Sequence, residues 1–132
     1  MNIYEEIGGE ATFMRLTDAF YDRVAADPLL RPLFPPNLAP GKRRLALFMI
    51  ESLGGPPLWP QERHFLHLVR AHHLRDFSED ERDAWINHML AAVEQVGIRG
   101  PARTALREWV ITGADFALNH RPRRPAQITI PE

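Results

Sequence analysis

Three residues of this 132-residue chain have the types and helical spacing to do chemistry together: Tyr21, His72 and Trp85. His72 closes the series Phe65, Leu68, Val69, His72, the i, i+3, i+4, i+7 pattern of an amphipathic helix with its apolar stripe turned inward. Tyr21 shares a side with Phe13, Leu16, Thr17, Phe20 and Val24, and Trp85 heads a stripe continued by Met89, Ala92, Val93 and Val96. A neutral imidazole can offer a lone pair to a metal, and a phenol and an indole N–H can each donate a hydrogen bond. Each of the three tips needs a partner once it is buried. Taken alone, a histidine on an apolar stripe is more often a satisfied core residue than a ligand. Three such tips in one apolar interior suggest instead that something polar is held there.

A haem iron with a diatomic ligand would satisfy all three, the imidazole on the iron and the other two groups donating to the ligand. The remaining histidines compete less well. His73 follows the stripe residue but lies about 100° round the helix, which makes it the rival ligand. His64 and His67 sit off the stripe, and His88 and His120 read as surface residues. Arg44 and Arg63 could pair with carboxylates, although a solvated face explains either one equally well. The chain has no cysteine, which excludes disulfides, thiolate metal sites, a cysteine nucleophile and a c-type haem attachment. It has no Glu-x-x-His pair, no His-Glu-x-x-His, no phosphate-binding glycine loop and no Gly-x-Ser-x-Gly. A formal charge of −1 gives no electrostatic reason to expect a nucleic acid or an anionic membrane as partner. The first residues carry no basic-then-apolar leader and no apolar run approaches about 18 residues, so the expected setting is cytoplasmic.

The elements that would position these residues are all helical, because no segment alternates with period two. Asn2 can cap a short first helix through Ile7, and a second covers about 10–26. A third, about 40–52, shows Leu45, Phe48 and Met49, and a fourth, about 60–73, carries His72. Ser78 with Glu81 forms a capping box for a fifth over 79–96. Pro101 suits the first turn of a sixth, with Leu106, Trp109, Val110, Gly113, Phe116 and Ala117. The Pro-rich stretch 28–40 must turn sharply while keeping Leu29, Leu30, Leu33, Phe34 and Leu38 compact. One domain over 1–120 is expected, followed by a Pro-rich tail, 121–132, that is extended or disordered and has little that could pack.

These residues, in this order, resemble the truncated haemoglobins, and within them group II, the O-type. The match runs from about Ile3 to Asn119. It is carried by Gly8-Gly9 with Phe13, Phe20-Tyr21, Ala26-Asp27-Pro28-Leu29-Leu30-Arg31 leading to Phe34-Pro35, Leu45 and Phe48, Gly54-Gly55-Pro56, His72, and Glu81-Arg82-Asp83-Ala84-Trp85. Ala71, Leu53 and Phe65-Leu66 stand where many relatives have a basic residue, a tryptophan and His-Pro.

The resemblance implies an all-α, globin-like two-over-two helical sandwich around haem b, iron protoporphyrin IX. It makes His72 the proximal iron ligand and Tyr21 and Trp85 the distal hydrogen-bond donors. Phe34 would pack on the haem face, and Arg44 would hold a propionate. Leu45, Phe48 and Met49 would form apolar walls, and Gly41 falls where other globins often place a distal histidine. Arg63, Val69 and Phe77 complete the expected cofactor contacts. The function so implied is binding of dioxygen, nitric oxide and carbon monoxide at a five-coordinate iron. Oxygen transport, nitric oxide dioxygenation and peroxidase-like turnover with a separate reductase are the roles it allows, and a homodimer is compatible with it. The competing reading is a cofactor-free helical interaction module in which His72, Tyr21 and Trp85 are ordinary core residues.

Overall fold

The computed structural model describes residues 2–56, 77–117 and 126–131, without the side chains of 115–117. The described residues form helices α1 (Ile3–Glu6), α2 (Glu10–Ala26), α3 (Ala39–Ser52), α4 (Glu79–Gln95) and α5 (Gly100–Ala117), and among them there is no strand. These match the expected first, second, third, fifth and sixth helices. The expected fourth helix lies outside the described residues. α2 packs against α3, α4 packs against α5, and α2 also crosses onto α4, so two helix pairs are layered over one core. That is the two-over-two arrangement expected from the sequence.

Side-chain caps explain where α1 and α4 begin. The Asn2 side chain accepts the Glu5 N–H at 3.1 Å and starts α1. Both arms of the Ser78–Glu81 capping box are made, Ser78 N–H to Glu81 Oε1 at 2.8 Å and Glu81 N–H to Ser78 Oγ at 3.1 Å. Glu79, Asp80 and Glu81 place negative charge in the first turn of α4, where the exposed N–H groups favour it.

The Gly54-Gly55 pair ends α3 and docks α1 against it. Gly54 has φ +101°, a conformation side chains rarely adopt, and its carbonyl accepts the Asn2 side-chain N–H at 3.0 Å. At Gly55 a Cβ would come within 2.5 Å of Ile50 Cγ2 and 2.6 Å of Tyr4 Cδ1, so only glycine fits the close approach.

The connector from α2 to α3 is compact, as its apolar residues require. Leu30 is fully buried, Leu33, Phe34 and Leu38 are partly buried, and Leu29 is exposed. Prolines cannot donate, so carbonyls in this stretch need donors from elsewhere. The Arg31 guanidinium supplies them, donating to the carbonyls of Phe34 at 3.2 Å, Pro35 at 3.1 Å and Pro36 at 3.0 Å.

The C-terminal segment has more to pack than its composition suggests. Residues 126–131 form neither helix nor strand, with Ala126 and Ile128 against the core. The Asn87 side chain accepts the Thr129 N–H at 2.8 Å, and Arg107 donates to the Pro131 carbonyl.

Candidate functional site

The interior between α2 and α4 is built from an aromatic chain. Phe20 is fully buried and meets Tyr21 and Trp85 edge-to-face, both at 5.4 Å between ring centroids. Tyr21 meets Phe34 at 5.8 Å, and Phe34 meets Phe77 at 6.5 Å, again edge-on. Edge-to-face pairs each contribute about 0.5–1.5 kcal/mol beyond the area they bury, so this cluster fixes ring positions as well as filling space. The amphipathic registers of α2 and α4 produce it, since Phe20 and Trp85 meet across the two helices while Tyr21, the next residue on α2, meets Phe34 of the connector and lies close to Gly41 of α3.

Tyr21 and Trp85 are the two residues of this cluster with a polar tip; both side chains are buried as a whole, and neither tip makes a hydrogen bond among the described residues. Burial pushes the Tyr21 phenol well above its ordinary range, with the Arg44 guanidinium opposing that shift. The hydroxyl therefore keeps its proton throughout the physiological range and remains a donor.

Gly41 lies in the first turn of α3, and a Cβ built on it would stand 3.3 Å from the Tyr21 hydroxyl and 3.9 Å from an Arg44 terminal nitrogen. The α3 backbone thus comes close to the phenol at a place without a side chain. Arg44 is half-buried beside it. Leu45 and Met49 are buried, and Phe48 packs on Trp109 of α5 at 6.0 Å. Phe77 is buried and Phe34 partly so.

The structure brings together Tyr21, Phe34, Gly41, Arg44, Phe77 and Trp85, with Leu45, Phe48 and Met49 in the adjoining core. His72, Arg63 and Val69 lie outside the described residues, as do His64, His67, His73 and His120. The residues present suit a flat apolar cofactor bearing a polar ligand: aromatic and aliphatic walls, two donor-bearing side chains without a partner among the described residues, and no side chain at Gly41 beside the Tyr21 hydroxyl.

Two residues near the site differ from what the sequence pattern leads one to expect. His88, expected at the surface, is mostly buried and bonded to Asp27 at 2.7 Å and to Arg23 at 3.2 Å. Both of its ring nitrogens are engaged across the α2–α4 seam, which a surface histidine would leave to water. Arg82, not expected in the core, is 1% exposed and pairs with Glu79 and Asp83, each at 2.7 Å. The sequence carries a signal for both, because the Trp85 stripe extended one turn either way lands on Arg82 and His88.

Comparison with known proteins agrees with this geometry. Residues 2–119 match the family model described as bacterial-like globin. Group 2 truncated hemoglobin YjbI of Bacillus subtilis is 43% identical over 104 residues, covering 78% of this chain and 77% of that protein. The crystal structure of the hemoglobin from Chloroflexus aurantiacus superposes with a TM-score of 0.82 at 43% identity, covering 91% of this chain and 99% of that one. The truncated oxygen-avid haemoglobin from Bacillus subtilis superposes with a TM-score of 0.79 at 35% identity, covering 90% of this chain and 100% of that one. The chain belongs to the bacterial-like globins, among the group II truncated haemoglobins, and haem is the cofactor of that fold.

Proposed function

We propose that the chain holds one b-type haem through His72 and binds dioxygen, nitric oxide and carbon monoxide at a five-coordinate iron. When bound, the haem supplies a coordination position that takes a diatomic ligand reversibly. The observation that supports this reading is the pair of donor-bearing side chains, Tyr21 and Trp85, both buried, both edge-on to Phe20, and neither with an acceptor among the described residues. A hydrogen bond from either donor to a ligand with partial negative charge would contribute about 1.5–3 kcal/mol.

The chain's own residues divide the work. Tyr21 and Trp85 donate toward the ligand, and Phe20 and Phe34 hold their rings in place and exclude water. Arg44 with Arg63 would pair with the propionate carboxylates, for which a guanidinium fork is well shaped. Leu45, Phe48, Met49, Val69 and Phe77 would line the apolar walls. Gly41 leaves the distal approach without a blocking side chain. Nitric oxide dioxygenation or peroxidase-like turnover would draw electrons from a separate reductase, because these residues include no flavin or nicotinamide motif. One structural relative, the truncated haemoglobin from Bacillus subtilis, is oxygen-avid, which supports dioxygen as a ligand here.

The test is spectroscopic. Purified protein is expected to be red, with distinct ferric, ferrous and carbonyl spectra. His72→Gly should lose the native spectrum and regain part of it with added imidazole, while His73→Gly should keep it. Protein that stays colourless after haem is added overturns the reading in favour of the interaction module. A native spectrum in His72→Gly moves the ligand elsewhere.

A further inference from the structure

α2 ends at Ala26, with Asp27 as its C-terminal cap, five and six residues beyond Tyr21. His88 is three residues beyond Trp85 on α4, one turn further along the same side. Between these two places the His88 ring bridges the helices. Its Nε2 lies 2.7 Å from Asp27 Oδ2, and its Nδ1 accepts the Arg23 Nε–H at 3.2 Å. A guanidinium has only donors, so Nδ1 must present its lone pair. The ring proton then sits on Nε2 and points at the carboxylate.

Asp27 does more than receive it. Its other oxygen, Oδ1, accepts the Leu29 N–H at 2.8 Å, and its carbonyl accepts the Arg31 N–H at 2.8 Å. Those bonds begin the turn that leads to Phe34, whose ring meets Tyr21. Burial pushes the Asp27 carboxyl up, but the hydrogen bonds from His88 and from the Leu29 and Leu30 backbone outweigh burial and hold it below its ordinary value. One imidazole thus joins α2 and its cap to α4, with a side-chain hydrogen bond at each ring nitrogen.

We infer that His88, clamped in its Nε2–H form between Asp27 and Arg23, is a positioning residue that sets the separation of Tyr21 and Trp85 and thereby tunes how firmly the pocket holds its ligand. The inference rests on the proposed haem-binding reading. The clamp ties together the three segments that carry Tyr21, Phe34 and Trp85, and it lies within two turns of each of the two donors. A merely packed residue would need neither a fixed tautomer nor two charged partners.

The test uses the full chain with haem incorporated. His88→Leu removes both bonds, whereas His88→Gln keeps one donor and one acceptor on the same side chain. In His88→Leu the oxygen dissociation rate should rise about three- to tenfold, less than loss of a full hydrogen bond to the ligand would give. The carbon–oxygen stretch of the carbonyl form should move toward that of Trp85→Phe. His88→Gln should return both values most of the way to wild type. Independently of haem, nitrogen-15 spectra of the His88 ring should show the proton on Nε2.

A wild-type rate and stretch in His88→Leu, whatever happens to its melting temperature, would overturn the inference. So would a proton on Nδ1. Should His88→Leu fail to fold, Arg23→Met carries the test by freeing Nδ1 alone. It should raise the dissociation rate by a smaller factor, and a wild-type rate and stretch there overturn the inference. Failure of the haem reading looks different, because wild-type protein would then show no haem spectrum at all.

Discussion

Replacing Gly41 by alanine separates what this glycine does for the backbone from what it does for the pocket. Gly41 is not among the glycines with positive φ, so alanine meets no backbone strain there. In a helix interior the change from glycine to alanine gains about 0.8–1.0 kcal/mol, and less in a first turn such as this one. Against that gain stands the new Cβ, 3.3 Å from the Tyr21 hydroxyl, which obliges the phenol to give by a few tenths of an ångström. The ring is held edge-on by Phe20 and Phe34, so the shift is resisted. The two effects oppose, and net stability should change by less than about 1 kcal/mol.

The phenol, however, moves off its aim. A hydrogen bond to a charged group contributes about 1.5–3 kcal/mol, and losing roughly a third of it, about 0.5–1 kcal/mol, speeds ligand release about two- to fivefold. Stopped-flow oxygen dissociation and a urea melt on the same preparation measure both quantities. Gly41→Leu goes further and should slow carbon monoxide and peroxide access, because its side chain covers the approach. If Gly41→Ala lost more than about 2 kcal/mol while dissociation stayed at the wild-type rate, the glycine would be a backbone requirement and the reasoning would fail. A bis-histidine spectrum in the unmodified ferrous protein would defeat the open approach on its own.

Trp85→Phe keeps the ring against Phe20 and removes the donor, so oxygen release should quicken by about tenfold to a hundredfold, the full value of a charged hydrogen bond. The double change with Tyr21→Phe is the stricter stopped-flow test, and an unchanged rate there removes both residues from the mechanism. Asp27 has a folded pKa below its ordinary 3.8, so its contribution is fully present above the unfolded value and lost as pH falls through the folded one. Urea melts of wild type and Asp27→Asn should therefore differ most near neutral pH and converge below about pH 4; a gap that widens in acid would contradict this. Gly55→Ala places a Cβ against Ile50 and Tyr4 and should lower stability by about 1–3 kcal/mol by thermal melt, with ligand rates unchanged in the folded protein.

Much of the fold is legible in the sequence because its signals are local. The Ser78–Glu81 box starts a helix with information only four residues long, and the α2 stripe needs only the 3.6-residue period to bring Phe20 and Tyr21 inward. The partners of His88 cannot be read that way. Asp27 and Arg23 lie 61 and 65 residues earlier, and nothing in a periodic pattern says which polar residue will meet which across a helix seam. Arg82 is hidden for a related reason: an apolar stripe is counted by its apolar members, and a buried guanidinium with two carboxylates breaks the count while still occupying the face. The closeness of Gly41 to Tyr21 depends on how α3 crosses α2, which is set by packing and not by either helix's sequence.

The Arg31 guanidinium gives the pocket an unexpected weak point. A wall is usually as stiff as the many contacts behind it, yet the stretch behind Phe34 contains Pro35 and Pro36, which have no amide protons, and its carbonyls converge on a single side chain. Amide exchange is blind at those prolines, so loosening of the stretch would escape the usual probe of local opening. It would register instead in the ring it supports, through Phe34 and then Tyr21. In effect, one cation near the surface of the molecule acts as the hinge pin for an aromatic panel inside it.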